Sequence, residues 1–196
     1  MKERKLSTAD RILQSALQLM KNKGFNLVTI KEIADAANVS EMTVFRHFET
    51  KKGVLEAAIE RNTVVPSFKQ TLDKIIVWDL EKDLLQIAYL YLDLMERNES
   101  ICLVAVQERA SMPELADLVS ENTEQLKGYI TTYFNAMQEE GKMVPSNSYT
   151  QASTFLATLF SYFISTALWG EKFVNVPKEE FIKSSVKIFC YGLHNK

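Results

Sequence analysis

Polar and apolar residues follow one another along the chain with the period of an α-helix, and the first clear stretch lies near the N-terminus. Ser7 or Thr8 is a suitable N-cap, and Gly24 follows two lysines at a position where a left-handed residue ends a helix. The apolar positions that share one face are Ile12, Leu13, Ala16, Leu17 and Met20. We therefore predict a first amphipathic helix that ends before Gly24.

Two short helices are predicted next, with a tight turn between them. Thr29 and an acid three residues later have capping-box spacing, which predicts a helix over 30–37. Asn38 interrupts the pattern, and asparagine is the non-glycine residue best able to adopt positive φ. Ser40 then caps a second short helix over 41–48.

Longer helical stretches occupy the rest of the chain. A fourth helix, capped by Thr50, begins at Lys51 and runs towards Val64, and Pro66 marks a break or a kink. The later predicted helices are 67–77, 81–97, 99–111, 119–140, 148–169 and 178–193. The breaks between them carry Pro113, Gly141 with Pro145, and Gly170 with Pro177. The pattern contains no convincing strand, so we predict an all-α fold.

Composition agrees with this fold class and bears on membrane contact and on the cellular compartment. Six glycines and four prolines are few for 196 residues, and 46% hydrophobic residues are enough for a sizeable core. The longest apolar run, 155–169, is shorter than the roughly 20 residues that span a bilayer, so we expect a buried helix and no membrane contact. Cys102 and Cys190 have neither metal nor disulfide spacing, so we expect buried free thiols in a reducing cytoplasm.

Charge is distributed unevenly, although the net charge is only −2. Residues 1–52 carry ten Lys and Arg against six Asp and Glu, a balance of +4, whereas residues 53–196 carry thirteen against nineteen, a balance of −6. This asymmetry indicates that only the N-terminal part meets a polyanion.

The N-terminal helices have the order and spacing of a helix-turn-helix. A short helix pinned by its inner residues fits the major groove of DNA, and the starts of neighbouring helices attract phosphates, here at Thr29 and Lys51. The outward positions of the second short helix are Glu41, Met42, Thr43, Phe45, Arg46 and His47. Capped helix pairs with a few lysines also occur in helical proteins that bind no DNA, so the pattern alone leaves both interpretations open.

Residues 12–55 resemble the N-terminal domain of the TetR (tetracycline-repressor) family of bacterial transcriptional regulators. The features that agree, in chain order, are Gly24-Phe25, Thr29, Ile33-Ala34, Ala37, Val39, Thr43-Val44-Phe45, Phe48, Thr50-Lys51 and Leu55. Three positions depart from the family pattern. Asn38 stands where the turn usually has glycine, Phe45 replaces a tyrosine, and Lys52 stands where an acid is common.

The resemblance implies a role for each position of the head. It implies phosphate contacts from Thr29, Phe45 (by packing), His47 and Lys51, with Ser40 at the start of the recognition helix. Base-edge contacts would come from Glu41, Met42 and Thr43, while Arg46 either reads guanine or holds a phosphate. His47 has no second histidine nearby, since the other is His194, so we expect no metal site and no cofactor.

The resemblance also implies a division into a DNA-binding domain, 1–52, and a helical effector-binding and dimerisation domain, 53–196. The residues expected to line a pocket for a hydrophobic effector are Tyr89, Tyr91, Met95, Phe134, Met137 and Tyr162. Those expected in a dimer interface of the last two helices are Phe155, Leu159, Phe163, Phe181, Val186 and Phe189. Core packing is the alternative for each pocket residue. Glu108 and Arg109 interrupt an apolar helix and are expected to be an exposed pair, or else to orient a polar ligand.

We therefore expect a cytoplasmic, ligand-responsive repressor that binds a palindromic double-stranded operator as a homodimer. The helix that begins at Lys51 belongs to both domains and would transmit the effector signal. An activator, or a dimeric helical adaptor that binds no DNA, is the alternative. The sequence shows neither a nucleophile–base pair nor a glycine-rich phosphate loop, so an enzyme is not expected.

Overall fold

The computed structural model describes residues 6–61, 65–110 and 112–193. Within these ranges the chain forms ten α-helices, a 3-10 turn at Gly170–Lys172 and no strand. The prediction of an all-α fold is confirmed. The helices are α1 (Thr8–Lys23), α2 (Ile30–Ala37), α3 (Glu41–Phe48), α4 (Lys51–Arg61), α5 (Val65–Ile75), α6 (Leu80–Arg97), α7 (Glu99–Glu108), α8 (Pro113–Glu139), α9 (Ser148–Trp169) and α10 (Lys178–Leu193).

Most helix boundaries agree with the pattern, and the largest difference concerns a proline. Pro113 was expected to lie in a break, but it is the first residue of α8, where its missing N–H costs nothing because that group has no helical partner. Pro66 likewise lies in the first turn of α5. The predicted extension of α4 to residue 64, and His194, lie outside the described residues.

The helices form two compact units that do not follow the chain in order. The first unit contains α1 to α4, α7 and the first turns of α8, and the second contains α5, α6, the rest of α8, α9 and α10. Packing therefore assigns α4 and α7 to the unit that holds the helix-turn-helix. The functional division into 1–52 and 53–196 stays a prediction.

The first unit has one apolar core. Val39 and Phe48 are half-buried and pack against this cluster. Because α7 supplies Ile101 and Val104, the core needs a helix that follows α4 by some forty residues in sequence. The members of this core that are at most 1% exposed are Ile12, Ala16, Met20, Val28, Ile33, Ala34, Val44, Val54, Leu55, Ala58 and Val104.

In the second unit α6 lies against α5, α9 and α10. No residue between 83 and 95 is exposed, so α6 is buried on nearly every side along this stretch. Among the described helices, α9 is the one long and apolar enough to cross a membrane by length and composition. Phe155 and Leu159 on α9 are nevertheless fully buried within the unit, so α9 supplies core residues.

Asp83, near the start of α6, is a fully buried carboxylate with three hydrogen-bond donors. It accepts hydrogen bonds from the backbone N–H groups of Val77 (2.8 Å) and Asp79 (3.1 Å) and from the Tyr133 hydroxyl (2.8 Å). These bonds hold the loop around Trp78, whose φ of 62° is in the left-handed region. Burial, followed by the bond to Asp83, raises the pKa of Tyr133, so the phenol remains a donor at ordinary pH.

Both cysteines are free thiols, as expected. Cys190 is buried, whereas Cys102 is half-buried, so the expectation of burial is confirmed for Cys190 and only partly met for Cys102. Burial raises the pKa of both thiols to about 11, which keeps them protonated and poorly nucleophilic near neutral pH.

Candidate nucleic-acid interface

The turn between α2 and α3 has the geometry of a helix-turn-helix. Asn38 adopts left-handed φ and ψ of 54° and 55°, and its N–H group donates to carbonyls of the preceding turn. The Val39 N–H group donates to the Ala34 carbonyl (3.0 Å), and Ser40 then caps α3 by accepting from the Thr43 N–H group (3.2 Å). The asparagine therefore adopts the conformation for which glycine is common, and the turn is retained.

Helix α3 has one buried side and one exposed side. Val44 is fully buried and fixes the helix on the core of the first unit. On the other side Met42 is 75% exposed and Phe45 is 45% exposed. The other exposed predicted contact residues on or beside α3 are Ser40, Glu41, Arg46 and His47, while Thr43 is half-buried. A two-turn helix presented in this way can enter a major groove.

Arg46 and His47 are the nitrogen-bearing side chains of this exposed side. No described residue pairs with the Arg46 guanidinium, so its donors are available to a base or a phosphate. The His47 ring packs beside Phe48, with 5.7 Å between ring centroids, which keeps the imidazole at the end of α3. The exposed side thus has the Arg46 guanidinium and the His47 imidazole at one end and Met42 with Phe45 along its length.

The start of α2 is closed by a capping box. The Thr29 hydroxyl donates to the Glu32 carboxylate (3.0 Å) and accepts from the Glu32 N–H group (3.2 Å), while Lys23 pairs with the same carboxylate (2.7 Å). The hydroxyl of Thr29 is therefore occupied. A phosphate at this end would meet backbone N–H groups of the first turn, which have no intrahelical acceptor.

The Glu32 carboxylate makes the stability of this helix start dependent on pH. The Lys23 hydrogen bond, with those from Thr29, lowers the pKa of Glu32 from 4.5 to about 2. A lowered folded-state pKa stabilises the fold above pH 4.5, and that stabilisation is lost as the pH falls towards 2. We expect the melting temperature followed by circular dichroism to fall over this range, and to fall less in a Glu32→Gln variant.

The matched control for this pH experiment is Glu121→Gln, which removes an exposed carboxylate on α8. This control should leave the acid-induced decrease of the melting temperature as it is in the unmodified chain. An equal decrease in Glu32→Gln and in the unmodified chain would contradict the assignment of the effect to the capping box.

Lys51 is placed differently from the sequence expectation. Its ammonium group donates to the backbone carbonyls of Phe25 (2.7 Å), Asn26 (3.3 Å) and Val28 (2.7 Å), and it lies 4.3 Å from the centroid of the Phe25 ring. An ammonium group has three donors. The side chain is thus committed to the loop between α1 and α2, and no donor is left over for a phosphate.

The residues expected around an effector all lie in the second unit. Tyr91, Phe134 and Met137 are buried, whereas Tyr89 and Met95 are half-buried. Tyr162 is also buried, but it has a structural contact, since its hydroxyl donates to the Val176 carbonyl (3.0 Å) and its ring stacks on Phe181. These positions are compatible with either a pocket lining or a packed core, as the sequence indicated.

The residues expected in the dimer interface are mostly inside the chain itself. Phe155, Leu159, Phe163 and Val186 are buried in the second unit, so a second copy cannot reach them. Phe181 and Phe189 are half-buried. The physical reason is that α9 has apolar residues on two sides, and the side chosen from the sequence is the one that forms the core. Its exposed side carries Ala157, Phe160, Ser161 and Leu168.

Glu108 is neither half of an exposed pair nor free for a ligand. The side chain is 8% exposed, and its carboxylate accepts a hydrogen bond from the Phe25 backbone N–H group (2.9 Å). Arg109 is exposed, as expected, and donates to the Val106 carbonyl of its own turn. An acid within the apolar helix α7 was the only signal for this contact, because the partner is a backbone group 83 residues away.

The chain matches known families over most of its length. Residues 12–58 match the family model of the bacterial regulatory proteins of the tetR family, and residues 82–192 match that of the C-terminal domain of AefR-like transcriptional repressors. Over 186 residues the chain is 32% identical to an uncharacterized HTH-type transcriptional regulator, YvkB, of Bacillus subtilis (strain 168). That alignment covers 95% of this chain and 97% of the relative.

Solved structures of regulators share the fold. The ketosteroid transcriptional regulator KstR2 of Mycobacterium tuberculosis superposes with a TM-score of 0.74 at 14% identity, covering 98% of both chains. AibR, in complex with isovaleryl coenzyme A and operator DNA, superposes with a TM-score of 0.72 at 16% identity, covering 93% of this chain and 97% of that one. At these identities the likeness concerns the fold.

Proposed function

Because the chain belongs to the tetR family of bacterial regulatory proteins, we propose that it represses transcription by binding a palindromic DNA operator as a homodimer. We further propose that a small hydrophobic molecule controls this binding. Family membership makes the chain a transcriptional regulator and not an enzyme. The observation that carries the proposal is the exposed side of α3, which Val44 holds on a buried core.

The DNA contacts follow from the groups that α3 and its neighbours expose. Glu41, Met42 and Thr43 at the start of α3 meet base edges, and Phe45 packs against the sugar-phosphate backbone. The groups that hold phosphates are the His47 side chain, the Ser40 hydroxyl that caps α3, and the backbone N–H groups that begin α2. Arg46 meets either a phosphate or a guanine. Lys51 on α4 contacts the loop between α1 and α2 and is not assigned a phosphate.

The dimer forms through the exposed sides of α9 and α10. Phe160 and Leu168 lie on one exposed side of α9, and Ile188 (68% exposed) and Tyr191 (76% exposed) lie one turn apart on α10. Large apolar side chains exposed on two helices that contact each other favour a protein–protein interface. A symmetric dimer carries two copies of α3, one for each half-site of a palindrome.

The effector is proposed to be hydrophobic because its candidate site is lined by apolar and aromatic residues of α6, α8 and α9. Tyr91, Phe134 and Met137 are buried there, and Tyr89 and Met95 are half-buried. KstR2 is described as a ketosteroid transcriptional regulator, and the AibR structure contains isovaleryl coenzyme A and operator DNA. Release of bound DNA by members of a panel of steroids, fatty acids and acyl coenzyme A esters is the corresponding measurement.

Repression, and not activation, is supported by the family model matched over residues 82–192, which describes transcriptional repressors. A cytoplasmic location follows from this role, because the operator is in the cytoplasm of a bacterium. The α4 helix joins the helix-turn-helix to the rest of the chain, so a ligand that prefers one position of α4 also changes the position of α3.

Arg46→Ala is expected to weaken binding to a palindromic duplex selected by the unmodified protein from a random pool, by about tenfold. If the guanidinium holds a phosphate, the slope of log K against log salt becomes shallower by about 0.9. If it reads a guanine, the slope stays the same and the sequence preference relaxes at one position. Fluorescence anisotropy over roughly 50 to 200 mM KCl separates these results.

Lys74→Ala is the matched control for Arg46→Ala, since it removes an exposed cation from α5 in the second unit. Its DNA affinity should equal that of the unmodified protein. Equal losses in the two variants would show a general effect of charge, and an unchanged affinity in Arg46→Ala would remove Arg46 from the interface.

A further inference from the structure

The loop between α1 and α2 is held from two sides through one residue, Phe25. Its N–H group donates to the Glu108 carboxylate on α7 (2.9 Å), and its carbonyl accepts from the Lys51 ammonium on α4 (2.7 Å). The Phe25 ring lies beneath the same ammonium group and is 9% exposed. Backbone and ring are therefore fixed by two helices that come from distant parts of the sequence.

Both anchors direct a charged side-chain group at the backbone of the loop between α1 and α2. A buried carboxylate is unfavourable unless hydrogen bonds compensate for its lost hydration, and Glu108 directs such a bond at the Phe25 backbone. Lys51 likewise gives its three donors to the carbonyls of Phe25, Asn26 and Val28. Both charges are therefore used on a loop that has no regular secondary structure of its own.

The loop lies directly before a DNA-contacting element. Val28 is followed by Thr29, the N-cap of α2, and α2 packs against α3. A loop that moves displaces the first-turn N–H groups of α2 relative to the exposed side of α3. Two groups that must meet one duplex together need a fixed spacing, because a displacement of about 1 Å is enough to lose a hydrogen bond.

We propose that Glu108 and Lys51 are positioning residues for DNA binding, which fix Phe25 and thereby the spacing between the start of α2 and α3. This inference rests on the proposed function as a DNA-binding repressor. It gives Glu108 of α7 a role in DNA binding. It also assigns Lys51 to anchoring of the loop and not to direct contact with a phosphate.

The direction in which replacement of Glu108 changes DNA affinity distinguishes a positioning role from a purely electrostatic effect. Removal of a carboxylate from a DNA-binding unit reduces repulsion of the polyanion and should strengthen binding. Loss of a positioning contact should weaken it. We expect Glu108→Ala to weaken binding to the selected duplex by about tenfold, the equivalent of one charge-assisted hydrogen bond. Glu108→Gln keeps an amide oxygen as acceptor and should stay within about threefold of the unmodified protein.

Lys51→Met gives an independent measurement. The methionine keeps an apolar chain over Phe25 but removes all three donors. We expect an affinity loss of about tenfold with an unchanged slope of log K against log salt, whereas loss of a phosphate contact would make the slope shallower by about 0.9. Hydrogen exchange of a peptide that spans residues 24–29 should be faster in both Lys51→Met and Glu108→Ala.

Arg109→Lys, which keeps the positive charge at the exposed residue directly after α7, is the control and should bind like the unmodified protein. Glu108→Ala binding as tightly as the unmodified protein, or more tightly, would overturn the proposal, as would a shallower salt slope in Lys51→Met. If Glu108→Ala does not fold, a loss of more than tenfold in the folded Glu108→Gln variant, which retains an acceptor, would also overturn it. Failure of the unmodified protein to bind any duplex would instead contradict the proposed function.

Discussion

Ile188→Glu is expected to convert the proposed homodimer into a monomer and to lower affinity for the palindromic duplex by about 100-fold or more. Ile188 is 68% exposed on α10, on the same side as Ser184 and Tyr191. In a twofold interface each substitution occurs twice, so two carboxylates would be buried without partners. Binding through two linked α3 helices then becomes binding through one. Analytical ultracentrifugation and fluorescence anisotropy measure the two effects.

A duplex that holds a single half-site is the internal control for Ile188→Glu. Its affinity should be the same for the variant and the unmodified protein, because the first unit is unchanged. Asn135→Glu adds the same charge at an exposed position of α8 and should remain dimeric. If Ile188→Glu sediments as a dimer, the exposed side of α10 is not the interface.

Asp83→Ala is expected to lower the free energy of unfolding of the second unit by about 3 kcal/mol. The substitution leaves the N–H groups of Val77 and Asp79 and the Tyr133 hydroxyl without their buried acceptor. It also releases the loop in which Trp78 has positive φ. Urea unfolding measures the loss, and the fluorescence of Trp78, which packs 5.9 Å from the Tyr133 ring, reports on the same site.

Tyr133→Phe is the matched variant for Asp83→Ala. It removes one donor from the carboxylate but leaves both backbone N–H groups bound, so we expect a smaller loss, about 1 kcal/mol. A loss in Tyr133→Phe as large as that in Asp83→Ala would show that the hydroxyl, and not the loop, carries the stabilisation. No loss in Asp83→Ala would contradict the role of the carboxylate.

The helix-turn-helix could be predicted from the sequence because its signals are local. Thr29 and Ser40 cap helices that begin one residue later, and Asn38 ends α2 through its own backbone conformation. Each of these effects depends on residues within four positions along the chain. Prediction of α2 and α3 therefore required no knowledge of the tertiary structure.

The contacts of Lys51 and Glu108 could not be predicted, because their partners are backbone groups far away in sequence. The position of Lys51 at the start of α4 suggested an anion, but the structure places its ammonium group on carbonyls more than twenty residues earlier. Side-chain spacing carries no information about such partners. Only the folded arrangement of α1, α4 and α7 does.

The choice of side on α9 was ambiguous for a different reason. Phe155, Leu159 and Phe163 share one side and Phe160 with Leu168 another, and both sets have helical spacing. Apolar periodicity indicates that a helix is amphipathic or buried, but it cannot rank two apolar sides. The first set is buried in the core of the second unit, and the second set is exposed, where it can meet solvent or a partner.

The packing of α7 with α1 has a consequence for how such a protein can be recombined. A single cut after α4 would remove Ile101 and Val104 from the core of the first unit, so a gene fusion at that point would encode an incomplete reader of DNA. A chimaera that joins this first unit to the second unit of another regulator must keep α7 from this chain, so it needs three junctions between the two sequences.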